Sequence, residues 1–243
     1  MQSGSVRSTL RLPDSREPER LPTFRMHAVY DRIWAWTFGR LPYYRRWSPD
    51  IDVYANSERD IEAALRDFLA ARPAGALRPT FLDVGARRGE RDHFAEGFAY
   101  FGLDLAPAAA NIVQGDICHC PDIPDASYDV VFSLDVFEHL ERPWDAAAEC
   151  VRITKPGGLL IHRTLFAYRY HPSPIDYWRF TSQALEYLFT REDEVKTLTK
   201  GYELLHRRAD RRGDGARDRP PIDYLGGYRE NWRVLYIGRK RGG

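Results

Sequence analysis

The sequence contains few cysteines and no long apolar run. Three cysteines, at positions 118, 120 and 150, occur in 243 residues, so no disulfide framework is predicted. The absence of about 18 consecutive apolar residues excludes a membrane-spanning helix. The N-terminal segment, MQSGSVRSTLRLPDSREPER, lacks the apolar core of a signal peptide. These absences favour a cytoplasmic protein with reduced cysteines and no membrane partner.

The chain also lacks an excess of charge of either sign. Lys and Arg number 36 and Asp and Glu number 35, which gives a formal net charge of +1. No overall field therefore recruits nucleic acid or an anionic membrane, and nucleic acid is not expected as a partner. The arginines of the segment 207–221 alternate with aspartates, which predicts a solvated loop.

Composition predicts three regions along the chain. Residues 1–22 are polar and aperiodic, which is typical of a disordered tail. Residues 23–75 are predicted to form an N-terminal helical cap, with an aromatic-rich helix over 24–47 and a second helix through Ile61, Leu65 and Phe68. Residues 76–243 are predicted to form the main domain.

Strand-like and helical segments alternate through this domain. The strand-like runs are FLDVG, YFGLDL, NIVQGDI, YDVVFSLDVF and LLIHRTLF, followed by GYELLHRR and WRVLYIGRK. A helix or a helical turn is predicted over RGERDHFAEGF, and an amphipathic helix is predicted over EHLERPWDAAAECVRITK. The pattern predicts an α/β fold with a doubly wound, mostly parallel seven-stranded sheet, in which the last two strands can pair antiparallel.

The stretch FLDVGARRGE combines features of a nucleotide-binding loop. Asp83, Gly85 and Gly89 follow a strand at its carboxyl end, where open α/β sheets bind ligands. Asp104 ends the next strand at the distance from which an acid reaches ribose hydroxyls, and Asp116 follows the third strand, where it can accept from an adenine amino group. The loop lacks the G-x-G-x-x-G spacing of dinucleotide sites, and Asp83 suits a cofactor with an ammonium group.

The ordered set FLDVGARRG, YFGLDL, VQGDI, YDVVFSLDVFEHL and ITKPGGLLIHRTL resembles the class I S-adenosylmethionine-dependent methyltransferases, over residues 79 to about 190. The resemblance implies S-adenosylmethionine as cofactor. It implies these cofactor-binding residues: Asp83, Gly85, Ala86, Arg87 and Gly89 around the methionine part, Asp104 and Leu105 at the ribose, Asp116 and Ile117 at the adenine, and Ser133 and Leu134 on the methyl side. The sequence departs from the family at Arg87, where glycine is frequent. Arg87 or Arg88 can pair with the methionine carboxylate or lie on a solvent-facing surface.

Two residues after the fourth predicted strand are candidates for catalysis. His139 is the candidate general base, with a structural histidine as the alternative, and Asp135 can orient an acceptor. His162 lies inside the fifth predicted strand, which favours a buried structural role. Cys118-His119-Cys120 has no second ligand pair at a suitable spacing, so no metal site is predicted.

The segment 167–190 after the fifth predicted strand is expected to form the acceptor pocket and lid. Its candidate substrate-binding residues are His171, Tyr177, Trp178 and Arg179: the aromatic rings can stack on a sugar or aromatic ring, and the arginine can hold a carboxylate or phosphate. The alternative is that the aromatic side chains seal an apolar seam.

The predicted function is methyl transfer to a small-molecule acceptor, at a hydroxyl or carboxyl oxygen of a secondary metabolite or sugar. A nicotinamide-dependent oxidoreductase and a binding protein that has lost transfer are the alternatives. The sequence also allows assembly as a homodimer.

Overall fold

The structure is a computed structural model that describes residues 53–54, 57–89, 91–168, 170–172, 174–190, 192–209 and 228–242, with the backbone alone for 53–54, 204–209 and 228–231. The predicted tail, the aromatic segment 24–47 and most of the 207–221 loop lie outside these residues. Residues 51–243 form one compact unit.

One sheet organises this unit. Its strands are β1 (Val53–Tyr54), β2 (Thr80–Val84), β3 (Ala99–Asp104), β4 (Ile112–Gln114), β5 (Tyr128–Leu134), β6 (Thr154–Ala167), β7 (Val195–Ala209) and β8 (Tyr228–Lys240). Their order across the sheet is β1-β7-β8-β6-β5-β2-β3-β4. Strands β2 to β6 are parallel, and β8 runs antiparallel to both β6 and β7. The predicted α/β fold with a mostly parallel seven-stranded sheet is confirmed, and the two-residue β1 is added at one edge.

Apolar side chains cover both faces of the sheet. Strand β5 carries Val130 and Phe132 toward one face and Val131 toward the other, and all three are fully buried. One core joins α2 (Pro143–Ile153) and α3 (Ser182–Thr190) to the sheet, and the other joins α1 (Ser57–Ala70). A central strand of a parallel sheet is buried in this way because helices lie on both sides of it.

Helix α1 lies within the region that the sequence assigns to the N-terminal cap. Its Ile61, Leu65 and Phe68 are buried in the same core as Phe81 of β2, so the helix packs directly on the sheet. Phe68 also stacks on Phe98, with ring centroids 6.1 Å apart.

After β2, where the sequence predicts a helix or a helical turn, the structure has a 3₁₀ turn, Asp92–Ala95. Glycines in the left-handed region bound this turn at Gly89 (φ +78°) and Gly97 (φ +85°). The helix predicted over EHLERPWDAAAECVRITK is shorter than the sequence predicts. A second 3₁₀ turn, Phe137–His139, precedes α2, which begins only at Pro143. Proline disfavours a helical conformation in the residue before it, and Arg142 is accordingly non-helical (φ −125°, ψ 72°).

No helix among the described residues is long and apolar enough to cross a membrane.

Candidate functional site

The loop after β2 turns sharply at the carboxyl edge of the sheet. Gly85 and Gly89 have φ values of +74° and +78°, and Arg87 adopts +45° in the same left-handed region. The amides of Gly85 and Ala86 donate to the Leu103 carbonyl at 2.8 and 3.2 Å, which ties the loop to β3. A side chain at Gly85 would overlap Val136. The backbone conformation at Arg87 costs a residue with a side chain more than it costs glycine.

Asp83 is a fully buried carboxylate beneath this loop. Its Oδ2 accepts a 3.0 Å hydrogen bond from the Tyr100 hydroxyl, and its Oδ1 lies 3.7 Å from Arg91 Nη1. Oδ1 has no hydrogen-bond partner among the described residues. Burial raises the pKa of Asp83 to about 6, and the nearby Arg91 opposes this shift. The carboxylate therefore has an unused acceptor atom at the position where the sequence predicts a bound ammonium group.

Asp104 connects β3 to the same loop. Its Oδ2 accepts from the Arg87 amide at 3.0 Å, and its Oδ1 accepts from the Ala106 amide at 2.8 Å. Each carboxylate oxygen has a second lone pair that can accept from a ribose hydroxyl. The neighbouring Leu105 side chain is 59% exposed, which provides an apolar surface beside these oxygens.

The adenine-side residues lie after β4, and the methyl-side residues lie at the end of β5. Asp116 Oδ1 accepts from the Cys118 amide at 2.8 Å, and Ile117 is buried beside it. Leu134 is buried. The hydroxyl of Ser133 is buried against His162 Nδ1 at 2.8 Å, so this side chain is directed into the core and away from a cofactor.

His162 is a buried core residue, as the sequence favours. Its ring stacks on Phe189 with centroids 4.4 Å apart, and burial lowers the pKa of His162 to about 3. The ring therefore stays neutral at physiological pH.

Asp135 follows β5 in a left-handed conformation with φ +54°. Arg233 of β8 donates to its Oδ2 at 2.8 Å, and Arg163 Nη2 lies 3.9 Å from the same oxygen. These two guanidinium groups fix the position of the Asp135 carboxylate at the end of β5.

His139 lies beside a carboxylate that sequence reasoning leaves without a role. Its Nδ1 donates to the Ile175 carbonyl at 2.7 Å, which leaves the lone pair of the neutral ring on Nε2. That Nε2 lies 3.9 Å from Oε1 of the fully buried Glu138. Oε2 of Glu138 accepts from the Thr164 hydroxyl at 2.6 Å. Burial raises the pKa of Glu138.

The segment after β6 brings His171 to the same place. Asp176 Oδ2 accepts from the backbone amide of His171 at 2.8 Å and from its Nδ1 at 3.0 Å. His171 Nε2 then lies 3.9 Å from Glu138 Oε1. The two histidine rings meet edge to face, with centroids 5.0 Å apart.

Arg179 differs from its predicted role as an acceptor-binding residue. Its guanidinium makes two hydrogen bonds to Asp176, at 2.5 and 2.7 Å, and its Nε donates to the Tyr168 carbonyl at 3.1 Å. The arginine holds the pKa of Asp176 below its usual range and fixes the carboxylate that orients His171. Asp176 is close in sequence to Arg179, but no sequence pattern predicts their ion pair.

The aromatic candidates are half exposed at this edge. Tyr177 is 43% and Trp178 is 36% exposed. Trp178 Nε1 donates to the Leu140 carbonyl at 2.8 Å, and its ring lies edge to face with Trp144 at 6.1 Å. The tryptophan therefore presents a ring whose orientation is already fixed by the protein.

Sequence reasoning misses Glu138 and Asp176 as site residues. The adjacent letters E-H in DVFEHL are the available signal for Glu138, because they give a carboxylate beside the candidate histidine. For Asp176 the sequence offers only an acid three positions before an arginine.

The comparisons with known proteins agree with this geometry. The family model for the methyltransferase domain matches residues 82–162, from β2 to β6. An uncharacterized methyltransferase of Mycobacterium ulcerans is 35% identical over 111 residues, which are 39% of this chain and 42% of that protein. A second one, from Mycobacterium avium, is 36% identical over 117 residues, or 41% of this chain and 45% of the relative. The chain thus spans less than half the length of these relatives.

Solved structures share the fold at low sequence identity. The YcgJ protein from Bacillus subtilis superposes with a TM-score of 0.51 and 16% identity, covering 76% of this chain and 100% of that one. The CurJ carbon methyltransferase gives a TM-score of 0.50 at 13% identity, covering 75% of this chain and 54% of that one. The family match thus shows similarity to the methyltransferase domain over residues 82–162, and the likenesses to solved structures show that the chain shares their fold.

Proposed function

We propose that this protein transfers the methyl group of S-adenosylmethionine to an oxygen of a small-molecule acceptor. The observation that carries the proposal is the unpartnered buried oxygen of Asp83 beneath a glycine loop, with Asp104 at the next strand end. An ammonium group and a ribose on one ligand would satisfy both acids. The match of residues 82–162 to the methyltransferase domain supports S-adenosylmethionine as that ligand.

The residues present fit this cofactor. Asp83 would accept from the ammonium group, and the backbone from Gly85 to Gly89 would enclose the methionine part. Asp104 would bind the ribose hydroxyls, while Leu105 would cover an apolar face of the ligand. Asp116 and Ile117 would frame the adenine. Arg91 contacts the Gly85 carbonyl at 3.2 Å, and this hydrogen bond keeps the loop in place.

S-adenosylmethionine supplies an electrophilic methyl group when it is bound, so the protein has to position an acceptor in line with it. His139 is the candidate to receive a proton from an acceptor hydroxyl, because its Nδ1 is held by Ile175 and its Nε2 carries the lone pair. Asp135, fixed by Arg233, is a positioning residue in this proposal.

The acceptor would bind between this edge and the segment 167–190. Tyr177 and Trp178 offer half-exposed rings that can stack on a sugar or an aromatic acceptor. Arg179 is engaged with Asp176, so an anionic acceptor group would not be its partner. We therefore favour a neutral hydroxyl of a secondary metabolite or sugar over a carboxyl group.

Calorimetric titration with S-adenosylhomocysteine and S-adenosylmethionine tests the cofactor assignment. We expect one site per chain with a dissociation constant in the micromolar range, and binding of neither compound would overturn the proposal. A product assay for S-adenosylhomocysteine with candidate hydroxyl acceptors tests transfer. Cofactor binding without turnover on a broad acceptor panel would favour the alternative of a binding protein.

A nicotinamide-dependent oxidoreductase remains the weaker alternative. Asp83 opposes it, since a buried carboxylate beneath the loop would repel a pyrophosphate. Titration with reduced nicotinamide cofactor, followed by its fluorescence, should give no saturable signal.

A further inference from the structure

Glu138, His139 and His171 bring three metal-ligating atoms together beyond the end of β5. Glu138 Oε1 lies 3.9 Å from His139 Nε2 and 3.9 Å from His171 Nε2. All three atoms lie within 4.8 Å of one another. These separations are too long for hydrogen bonds, so the three groups face a common point without bonding to each other.

The second nitrogen of each histidine has a partner that fixes the ring. His139 Nδ1 donates to the Ile175 carbonyl at 2.7 Å, and His171 Nδ1 bonds to the Asp176 carboxylate at 3.0 Å. Histidines that bind metals almost always donate their other N–H to a carbonyl or a carboxylate in this manner. Each ring consequently has its Nε2 on the side of Glu138 Oε1.

Glu138 itself lacks one partner that a buried carboxylate requires. The side chain is fully buried and Oε2 is satisfied by Thr164, but Oε1 has no hydrogen-bond partner within the described part of the chain. Burying a carboxylate oxygen without a hydrogen-bond partner lowers the free energy of unfolding. A cation between Glu138 and the two histidine rings would provide the missing partner.

We propose that Glu138 Oε1, His139 Nε2 and His171 Nε2 coordinate a divalent first-row transition ion, of which Zn²⁺ is the best fit. Two imidazole nitrogens and one carboxylate oxygen form a donor set that such ions prefer over Mg²⁺, and catalytic zinc sites use it with one position open. Ligand atoms at about 2.1 Å from a tetrahedral ion lie roughly 3.4 Å apart. The two Glu138–histidine distances of 3.9 Å therefore require a contraction of about half an ångström each, and the distance between the two histidine nitrogens, which is within 4.8 Å, requires a contraction of at most about 1.4 Å. His171 is 34% exposed, which provides a route for the ion.

The inference goes beyond methyl transfer and does not depend on which atom is methylated. A bound ion would use the Nε2 lone pair of His139, so His139 would be a ligand in the metal-bound protein and could serve as the general base of the proposed function only in the metal-free protein. The open position of the ion would take water or an acceptor oxygen at the same edge of the sheet.

Binding of Co²⁺ to the tag-free, chelator-treated protein tests the site, because Co²⁺ bound to nitrogen and oxygen ligands has visible absorption bands that Zn²⁺ displaces. We expect one Co²⁺ per chain, displaced by Zn²⁺ but not by Mg²⁺ at equal concentration. His171→Ala should weaken Co²⁺ binding at least about 100-fold. Asp176→Asn, which changes only the partner of a ligand, should weaken it about 10- to 100-fold.

His93→Ala is the matched control, because His93 is exposed in the 3₁₀ turn at Asp92–Ala95, and its loss should leave Co²⁺ affinity unchanged. Absence of saturable Co²⁺ binding by the wild-type protein would overturn the proposal, as would equal affinity in His171→Ala or displacement by Mg²⁺. The wild-type spectrum decides the matter even if a variant fails to fold. S-adenosylhomocysteine binding, measured on the same samples, reports separately on the proposed function.

Discussion

The backbone amide of Arg87 donates a 3.0 Å hydrogen bond to the carboxylate of Asp104, which joins the loop after β2 to the end of β3. The same carboxylate accepts from the Ala106 amide at 2.8 Å. Asp104 therefore shapes the loop in addition to its proposed contact with the ribose of the cofactor.

Replacing Asp104 by asparagine should weaken S-adenosylhomocysteine binding by at least about 10-fold. An amide has only one acceptor oxygen, so it cannot receive both backbone amides and a ribose hydroxyl at once. Calorimetric titration measures the change. Asp122→Asn, an exposed aspartate between β4 and β5, is the matched control and should keep wild-type affinity. Equal affinity in both variants would contradict the ribose assignment.

Arg87→Gly should leave the free energy of unfolding unchanged or raise it. Glycine normally costs about 0.5–1 kcal/mol in chain entropy, but at φ +45° it also removes the strain of a left-handed side-chain residue. Arg88→Gly is the matched control, because Arg88 is an exposed neighbour with negative φ and should lose roughly the ordinary glycine cost. Urea denaturation of the two variants compares them, and an equal loss in both would argue against strain at position 87.

Titration of Asp83 should give stability a specific pH dependence. Burial raises its pKa to about 6 from an ordinary value of 3.8, so the folded chain retains a proton that the unfolded chain releases. Its contribution to the free energy of unfolding is thus present below about pH 4 and is lost as the pH rises through 6. The low pKa of His162, about 3, acts in the opposite direction, because stability is lost as the pH falls below 6.5.

Because Asp83 and His162 act in opposite directions, the contribution of Asp83 is measured as the difference in free energy of unfolding between the wild type and Asp83→Asn. Denaturation curves of the wild type and Asp83→Asn between pH 4 and 7 should diverge, with the wild type losing relative stability as the pH rises. Affinity for S-adenosylhomocysteine should increase over the same range in the wild type alone, since the ammonium group requires the charged carboxylate. A pH-independent difference would contradict the raised pKa.

Gly85→Ala should lower the free energy of unfolding by about 1–3 kcal/mol and weaken cofactor binding, because alanine at φ +74° is strained and its Cβ overlaps Val136. Gly157→Ala separates the two causes: its φ is +78°, but nothing lies within 4 Å of the added atom. Thermal denaturation should show the larger loss at Gly85, and Val136→Ala should recover part of it. An equal loss of stability in the two variants would exclude a contribution from overlap with Val136.

Much of the fold could be predicted from the sequence because strands and turns depend on neighbouring residues. Buried strands such as β5 appear as β-branched and aromatic runs, and the glycines mark the left-handed turn at Gly85. The length of the helical segment after β2 could not be predicted, since its apolar spacing allows either a helix or a helical turn, and glycines at 89 and 97 bound the 3₁₀ turn that forms.

The acids at the strand ends could also be placed from the sequence, because parallel strands bring Asp83, Asp104 and Asp116 to one edge. The hydrogen-bond partners of individual side chains could not be predicted from the sequence. Ser133 is directed into the core by His162, which lies on a separate strand. Arg179 pairs with Asp176 three positions away, in a segment without helix or strand whose conformation no local pattern defines.

The sequence therefore indicates the resemblance to the methyltransferases, the succession of strands along the chain and the acids at the strand ends, all of which follow from local pattern. The proximity of Glu138 to His171 does not follow from local pattern. It depends on the segment after β6 folding back so that the amides of Tyr177 and Trp178 bond to the Glu138 carbonyl, and on a carboxylate buried without a second partner. Contacts between residues more than thirty positions apart arise from packing, and no spacing in the chain encodes them.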